Sequence, residues 1–313
     1  MTGRHALSKT AAVARPKTPR TRLGEALAAY TFLAPALALI LVFGIWPLLT
    51  AFWLSFHSYD LFSNPKWVGL ENYRYLLFQA DFWISIRNTT IYTFVVVACQ
   101  TALSMGLALI MDQKIRGKAF FRTAFFLPSV TSSVAISLIF MLIFFKNGVL
   151  NQGLAVLHLD KVLSLVGLEP PVDWLGDPRT ALSAIMIQNI WSTSGFFMIV
   201  FLAGLQDIPE SLYEAARVDG ASRWDQFRKI TLPLLRPTTF YVVTMGLIGG
   251  FQIFDQIYVM TAGGPLKATL TTAYLLYQEA FVNFNMGYAC AIAFVLATII
   301  FICTTAQKKL MEE

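Results

Sequence analysis

The chain has 313 residues, of which 56% are hydrophobic and only 13% are charged. Ordinary soluble domains carry about 25% charged residues, so this composition excludes a typical soluble globular protein. The formal net charge is +6, but the sequence shows no basic face on a folded domain of the kind that binds nucleic acid. The composition therefore predicts an integral membrane protein that does not bind nucleic acid.

Six segments are long and apolar enough to cross a bilayer as helices, which takes roughly 20 residues each. Asp255 is the one charged residue within any of them, whereas a soluble helix would show a charged face. We therefore predict an all-α fold, a bundle of six transmembrane helices within residues 30–306. The predicted spans are 30–56, 88–111, 123–145, 181–205, 238–260 and 287–306.

The Lys and Arg residues are shared unevenly between two alternating sets of connecting segments, 17 in the first set and 7 in the second. By the positive-inside rule, the first set is cytoplasmic. The pattern predicts a multi-pass protein with both termini in the cytoplasm. The first set comprises 1–29, 112–122, 206–237 and 307–313, and the second comprises 57–87, 146–180 and 261–286.

The two ends of the chain are predicted as cytoplasmic tails. Residues 1–29 form a basic tail, and residues 307–313 form a short one at the other end. Because residues 1–25 are rich in Pro, Thr and basic side chains, we predict that they are mostly disordered.

The sequence lacks the motifs of a self-contained enzyme. Its three histidines lie far apart and show no metal-ligand spacing, and no motif of nucleophilic catalysis is present. The nearest approach to a phosphate-binding P-loop, Arg116-Gly117-Lys118-Ala119, lacks the upstream glycine and the hydroxyl residue of that motif. We predict no catalytic residue, no metal and no cofactor in this chain, so a partner supplies any energy that its work requires.

A polar insert interrupts the apolar sequence between the fourth and fifth spans. Asp207, Pro209 and Glu210 predict a helix start, with the aspartate as N-cap and the proline in the first turn. Gly220 fits the left-handed position that ends this helix. A second short helix is predicted from Ser222, and Pro233 and Pro237 are expected to break the chain before the fifth span.

Two interpretations of this insert follow from its residues alone. It is either an amphipathic hairpin that rests on the membrane surface or a rigid docking site for a cytoplasmic partner. In the first helix, Leu212, Ala215 and Ala216 share a face, and the small alanines allow close approach by another helix or a groove wall.

The stretch EAARVDGASRWDQFRKITLPLLRP (214–237) resembles the EAA loop of binding-protein-dependent ABC importer permeases. In that pattern EAA is followed, after three residues, by Gly and later by a hydrophobic-Leu-Pro sequence, matched here by Gly220 and Leu232-Pro233. Further stretches resemble the sugar-importer branch, which transports maltose and other oligosaccharides. They are WPLLTAFWLSF (46–56), VGLENY (68–73), FFRTAFFLP (120–128), DWLGDP (173–178) and FDQIYVMTAGGP (254–265).

The resemblance implies a permease subunit in a bacterial plasma membrane, with ATP and Mg bound by a separate ATPase. Its expected partners are a second and different permease chain, two copies of the ATPase subunit, an extracytoplasmic solute-binding protein docked on the outer loops (chiefly 146–180), and a sugar. The residues implied in coupling to the ATPase are Glu214, Ala215, Ala216, Asp219, Gly220, Leu232 and Pro233. The extra N-terminal spans and the large periplasmic domain of the larger maltose-type subunit are expected to be absent.

A substrate path is predicted along spans four and five, where IQNIWSTSGFF (187–197) and GLIGGFQIFDQIY (246–258) place polar and aromatic side chains in apolar helices. Aromatic rings stack on the C–H faces of sugars, and amides bind sugar hydroxyl groups. Close helix packing is the alternative role of Gly246 and Gly250, and Asp255 either contacts substrate or forms a structural bond to another span. The candidate path residues are Asn189, Trp191, Ser192, Phe196, Gly250, Gln252 and Asp255.

Two alternatives stay open. A secondary transporter that needs no ATPase would show inverted repeats or several charged residues within its spans, and the sequence shows neither. The same importer class also includes glycerol-phosphate permeases of this six-span form, so the sequence leaves the solute undetermined.

Overall fold

A computed structural model describes residues 19–113, 115–159, 161, 164 and 167–312 of the chain. Residues 1–18 of the predicted N-terminal tail, and residue 313 of the C-terminal tail, lie outside the described residues. The described part is mostly helical, as predicted, and includes one antiparallel pair of two-residue strands, β1 (His57–Ser58) and β2 (Lys66–Trp67).

The helices are numbered here in chain order. They are α1 (Pro19–Ile40), α2 (Trp46–Leu54), α3 (Glu71–Phe78), α4 (Ala80–Asp112), α5 (Lys118–Val130), α6 (Ser133–Phe144), α7 (Val149–Val156), α8 (Ala181–Gln206), α9 (Glu210–Val218), α10 (Arg223–Gln226), α11 (Leu232–Leu234), α12 (Arg236–Phe251), α13 (Asp255–Met260), α14 (Thr272–Tyr277) and α15 (Met286–Glu312). In the part of the chain that the structure describes, three wide π-helical turns follow helices α1, α10 and α14, at Leu41–Ile45, Phe227–Thr231 and Gln278–Val282.

The chain divides into two compact units, Met1–Trp53 and Leu54–Glu313. The first unit contains α1, the wide turn Leu41–Ile45 and most of α2. Since α1 begins at Pro19, the prediction of disorder up to residue 25 is wrong for residues 19–25. The segment Leu27–Leu54 is long and apolar enough to cross a membrane.

Three further helices in the described residues pass the same test of length and composition: α4, α8 and the Met286–Leu310 part of α15. The predicted third span, 123–145, is not one helix, because α5 and α6 meet at a bend of 100°. Pro128 lies near the end of α5, and Thr131 is extended (φ −83°, ψ 151°), so the helix stops there. Counting that bent pair as one span gives five candidates, and the predicted number of six is not confirmed.

The predicted fifth span, 238–260, is also interrupted. Helix α12 ends at Phe251, and α13 begins at Asp255 after a tight turn in which Gln252 N donates to Gly249 O at 3.2 Å. Two consecutive glycines, Gly249 and Gly250, weaken the helix just before its end. Asp255 therefore begins a separate short helix, and the expectation that it lies inside a continuous span is wrong.

Helix α4 lies at the centre of the second unit and packs against α8 and α12. Lipid tails are as apolar as leucine, so close packing, more than burial of apolar area, stabilises such a bundle. At Gly195 of α8 an added Cβ would overlap the backbone carbonyl of Phe125 in α5, so glycine permits that helix crossing. The packed residues include Ala108, Met111, Phe197, Met198, Phe201 and Leu202.

Candidate functional site

The polar insert forms a compact segment, residues 207–235, between the long helices α8 and α12. Its first helix, α9, ends as predicted, with Gly220 in the left-handed conformation (φ +78°). Ala221 N donates to Ala216 O at 2.9 Å and Gly220 N donates to Arg217 O at 3.1 Å. These two bonds are the Schellman arrangement, which satisfies the last carbonyl groups of a helix.

The start of α9 differs from the prediction. Asp207 is the C-cap residue that follows α8, still with α-helical backbone angles (φ −78°, ψ −12°), and Pro209 occupies the N-cap position of α9 without a side-chain hydrogen bond. Asp207 is therefore not the N-cap. Because Pro209 has no N–H and is extended (φ −60°, ψ 129°), it separates the two helices by its backbone geometry alone.

The second short helix, α10, is capped as its sequence predicts. Asp225 N donates to Ser222 Oγ at 3.1 Å, and Lys229 Nζ lies 2.9 Å from Asp225 Oδ1. The hydrogen bond from Ser222 and the pair with Lys229 lower the pKa of Asp225 to about 2. Trp224 and Phe227 pack together, with ring centroids 5.5 Å apart.

Pro233 and Pro237 interrupt the helical structure less than the sequence predicted. After α10 the chain continues through the wide turn Phe227–Thr231 into α11, and Leu235 alone separates α11 from α12. Pro233 and Pro237 each occupy the first turn of a helix, where a missing N–H costs little. Tyr213 of α9 bonds through its hydroxyl to buried Thr231 Oγ1 at 2.9 Å, which ties α9 to the wide turn.

This polar segment also keeps several large apolar side chains exposed. The predicted coupling residues Glu214, Ala215, Asp219 and Gly220 are exposed on α9 or at its end, Ala216 is half-buried, and Leu232 and Pro233 are exposed at α11. Exposed apolar clusters of this kind mark interaction sites. We call this the coupling surface, and its large apolar members are Leu212, Val218, Trp224, Leu232 and Leu234.

The predicted path residues do not form one group. Ser192 and Phe196 line a cleft of about 290 Å³ where the α5–α6 bend faces α8 and α13. Asn189 is half-buried, and its backbone carbonyl accepts hydrogen bonds from the hydroxyls of Ser192 and Thr193. Trp191 is 49% exposed and tilts against Phe140 at 5.3 Å between ring centroids.

The three candidates from the predicted fifth span lie elsewhere. A Cβ at Gly250 would lie 2.8 Å from Thr93 Cγ2 in α4, which favours the packing interpretation of this glycine. Gln252 lines a different cleft, beside α14 and α15. Asp255 is exposed, and within the described residues its side chain has no hydrogen bond or ion pair.

Sequence reasoning did not select Gln188, Ser133 or Gln256, which also line the cleft at the bend. Gln188 is 1% exposed, and no described residue bonds to either polar atom of its amide. An unsatisfied buried polar group costs about 1–3 kcal/mol of stability. Packing of the bundle therefore does not explain why a glutamine occupies this position. In the sequence, its position beside Asn189 in a largely apolar helix was the feature that could have identified it as a cleft residue.

No group of three or more potential metal ligands occurs in the part of the chain that the structure describes. The fold and site thus define a helical membrane protein with a capped, partly apolar segment exposed between two long helices and a polar cleft in its bundle.

Comparison with known proteins identifies the class. Residues 100–310 match the family described as the inner membrane component of binding-protein-dependent transport systems. A trehalose/maltose transport system permease protein of Thermococcus litoralis is 36% identical over 272 residues, 86% of this chain and 88% of that protein. A probable ABC transporter permease protein of Bacillus subtilis is 37% identical over 293 residues, 92% of this chain and 91% of that protein.

The fold agrees with these similarities. The crystal structure of a bacterial ABC transporter involved in the import of the acidic polysaccharide alginate matches 94% of this chain and 98% of that chain, with a TM-score of 0.77 and 22% identity. The chain belongs to the family of binding-protein-dependent transport system inner membrane components, and it is the permease subunit of an ABC importer.

Proposed function

We propose that this chain forms half of the path of an ATP-driven importer of a sugar or oligosaccharide. A relative that matches most of the chain is named as a trehalose/maltose permease. The cleft at the α5–α6 bend adds physical support, because Ser192, Gln188 and Phe196 combine hydroxyl, amide and aromatic groups there. Such mixed linings suit sugars, which have both hydroxyl groups and C–H faces.

The observation that best supports the ATPase coupling is the construction of segment 207–235. The Schellman bonds, the Ser222 cap and the Tyr213–Thr231 bond hold its backbone, while large apolar side chains stay exposed. A rigid surface with exposed apolar groups favours a protein partner. In our proposal the coupling surface binds one copy of the ATPase, which binds ATP and Mg and carries out the hydrolysis.

The proposed topology has six spans. In this scheme α5 and α6 together make one broken span, and α12 and α13 together make another. Non-helical backbone at membrane depth is tolerated where protein buries it or where it lines a cavity. Both termini and segment 207–235 are then cytoplasmic, as the distribution of Lys and Arg predicts.

The proposed assembly contains a second permease chain, two ATPase subunits and an extracytoplasmic solute-binding protein. The described part of the outer loop 146–180 is ordered by its own bonds. Asn151 Nδ2 donates to Val172 O at 2.8 Å, and Trp174 Nε1 donates to Asn151 Oδ1 at 3.1 Å. An ordered outer loop supports its proposed role in docking the binding protein.

Reconstitution tests this function. The importer would be assembled in proteoliposomes with the subunits encoded beside this chain, and uptake of radiolabelled neutral sugars, including maltose and trehalose, would be measured with ATP on the ATPase side. We expect uptake that requires ATP, both permeases and the binding protein. Uptake by this chain alone under an ion gradient would instead establish a secondary transporter.

A further inference from the structure

In the proposed topology, charge is unevenly distributed among the cytoplasmic segments that follow the N-terminal tail. Segment 112–122 holds four basic residues and one acidic residue, a net charge of +3. Segment 206–237, which contains the coupling surface, holds five of each, and segment 307–313 holds two of each. A segment of one sign attracts a partner of the opposite sign, so segment 112–122 is suited to an anionic partner.

Three of these cations lie at the start of α5 in the described part of the chain. Arg116 and Arg122 are exposed, and Lys118 is half-buried. Among the described residues, none of the three has an ion pair or a side-chain hydrogen bond. Cations at the start of a helix oppose its dipole, and α5 has no acidic residue in its first turn. The stability of α5 therefore does not explain these side chains.

The face of α5 opposite the cations is apolar. Phe120, Ala124 and Leu127 follow one another at i, i+4 and i+7, on the other side of the helix from Lys118 and Arg122. All three are exposed, Phe120 to 72% and Leu127 to 59%. A helix with cations on one face and exposed Phe and Leu on the other is typical of the boundary between lipid headgroups and acyl chains.

The short connection from α4 keeps these cations near the membrane surface. Helix α4, a candidate span, ends at Asp112, and α5 begins six residues later at Lys118. The start of α5 therefore lies on the same side of the membrane as the end of α4. Basic clusters directly beside a span on the cytoplasmic side bind anionic lipids.

We propose that Arg116, Lys118 and Arg122 bind the headgroups of anionic phospholipids in the cytoplasmic leaflet, while Phe120 lies among the acyl chains. The proposal rests on the proposed topology and is independent of the solute that is transported. The ATPase is the less suitable partner for this face, because in the proposed function it binds the neutral coupling surface. A bound lipid would fix the start of α5 at the membrane surface, below the 100° bend between α5 and α6.

The test measures which lipid lies beside Phe120. The importer is assembled in nanodiscs that contain equal amounts of phosphatidylglycerol and phosphatidylcholine, with Cys99, Cys290 and Cys303 replaced and a fluorophore on Phe120→Cys. Either the first or the second lipid is brominated, so that it quenches the fluorophore. We expect the anionic lipid to be enriched at this position about fivefold, the equivalent of about 1 kcal/mol for one cation at an anionic surface.

Charge variants show whether the cations cause this preference. Replacing Arg116, Lys118 and Arg122 together by Gln should bring the enrichment to about onefold, whereas Arg116→Lys with Arg122→Lys preserves the charges and should keep it. Lys308→Gln with Lys309→Gln removes two cations at the end of α15 and is the control, with the wild-type enrichment expected. Substitutions of surface residues change stability little, so the triple variant should melt as wild type in phosphatidylcholine.

Equal quenching by the two lipids in the wild-type importer would overturn the proposal, since the cations would then select no lipid. Quenching by neither lipid would show that protein or water covers Phe120, and quenching that appears only after removal of the ATPase would assign this face to the ATPase. A second measurement needs no fluorophore. Because a ligand that binds the folded state stabilises it, phosphatidylglycerol should raise the melting temperature of the wild-type complex more than that of the triple variant, and equal shifts would contradict the site.

Discussion

Two segments flank helix α12, and they are stabilised in different ways. Segment 252–285, the outer segment of the proposed topology, is bonded to a distant part of the chain. Asn88 of α4 donates to Lys267 O at 2.9 Å and to Leu270 O at 3.1 Å, and Thr272 N donates to Thr89 Oγ1 at 2.9 Å. Each of these bonds joins residues about 180 positions apart, so the outer segment is part of the bundle.

Segment 207–235, the cytoplasmic segment of the proposed topology, is stabilised largely by bonds of its own. The bonds of its turn, its cap and the Tyr213–Thr231 contact all join residues of the segment itself. Leu235, at its end, packs into the bundle core, but the five large apolar side chains of the coupling surface remain exposed. In the proposed function this difference is a division of roles: the outer segment contributes to the stability of the bundle, and the cytoplasmic segment presents a surface to the ATPase.

The largest effect is expected at Gly220 in the cytoplasmic segment. A Cβ there meets open space, so the cost of substitution comes from its φ of +78°, roughly 1 kcal/mol or more for valine. Gly220→Val should abolish uptake, because the turn that presents the coupling surface is lost, while the chain still inserts. Asparagine tolerates left-handed backbone, so Gly220→Asn should retain most uptake.

Uptake assays and co-purification of the ATPase measure both variants. Normal uptake with Gly220→Val, or equal losses in the two variants, would show that the backbone conformation at this turn has no role in coupling.

The second largest effect is expected on the stability of the outer segment. Asn88→Ala removes the donor to two carbonyl groups of the outer loop from a residue that is 8% exposed. Unpaired buried groups should cost about 1–3 kcal/mol. The melting temperature of the purified permease should therefore fall by the same amount with and without each added solute. Gln152→Ala, which removes an exposed bond to Asn147 O, is the control and should melt as wild type.

A smaller effect is expected from Tyr213→Phe, which removes the hydroxyl bonded to Thr231 and preserves the ring. Losing one such bond costs about 1 kcal/mol, or roughly a fivefold change in an equilibrium. We expect uptake to fall severalfold with an unchanged melting temperature of the bundle. Tyr241→Phe, at a 44% exposed tyrosine of α12, should change neither. A loss of bundle stability in Tyr213→Phe would contradict the division between the two segments.

The smallest effect is expected at the ion pair between Lys267 and Asp81, whose Nζ and Oδ1 atoms lie 2.6 Å apart. Both side chains are largely exposed, at 54% and 41%, and exposed pairs contribute about 0–1 kcal/mol. Lys267→Met should lower the melting temperature slightly at low salt and not at high salt. A decrease as large as that of Asn88→Ala would mean that this pair, not the buried amide, holds the outer loop.

The sequence predicted the parts of the molecule that depend on local chemistry. The left-handed Gly220 and the helix start at Ser222 follow from rules that involve a few neighbouring residues, and the structure confirms them. The long apolar helices α4, α8 and α15 could also be predicted from the sequence without knowledge of tertiary contacts.

The incorrect predictions concern features that depend on tertiary contacts or on a local change in backbone conformation. Hydropathy cannot distinguish a straight span from one bent at Thr131 or interrupted after Phe251, because the apolar composition is the same. Asp207 satisfied the rule for an N-cap, yet it is the C-cap residue of the preceding helix α8. The unpaired amide of Gln188 emerges only when the helices around it are in place.

Cross-linking between the coupling surface and the ATPase tests the central claim most directly. With Cys99, Cys290 and Cys303 replaced, single cysteines would be placed at Leu212 on the coupling surface and at Leu266, the 90% exposed tip of the outer loop. We expect Leu212→Cys to cross-link to the ATPase subunit in the assembled importer, with a yield that changes on ATP binding, and Leu266→Cys not to do so. An importer that hydrolyses ATP and transports its solute without any cross-link from Leu212→Cys, or with one from Leu266→Cys, would contradict the account.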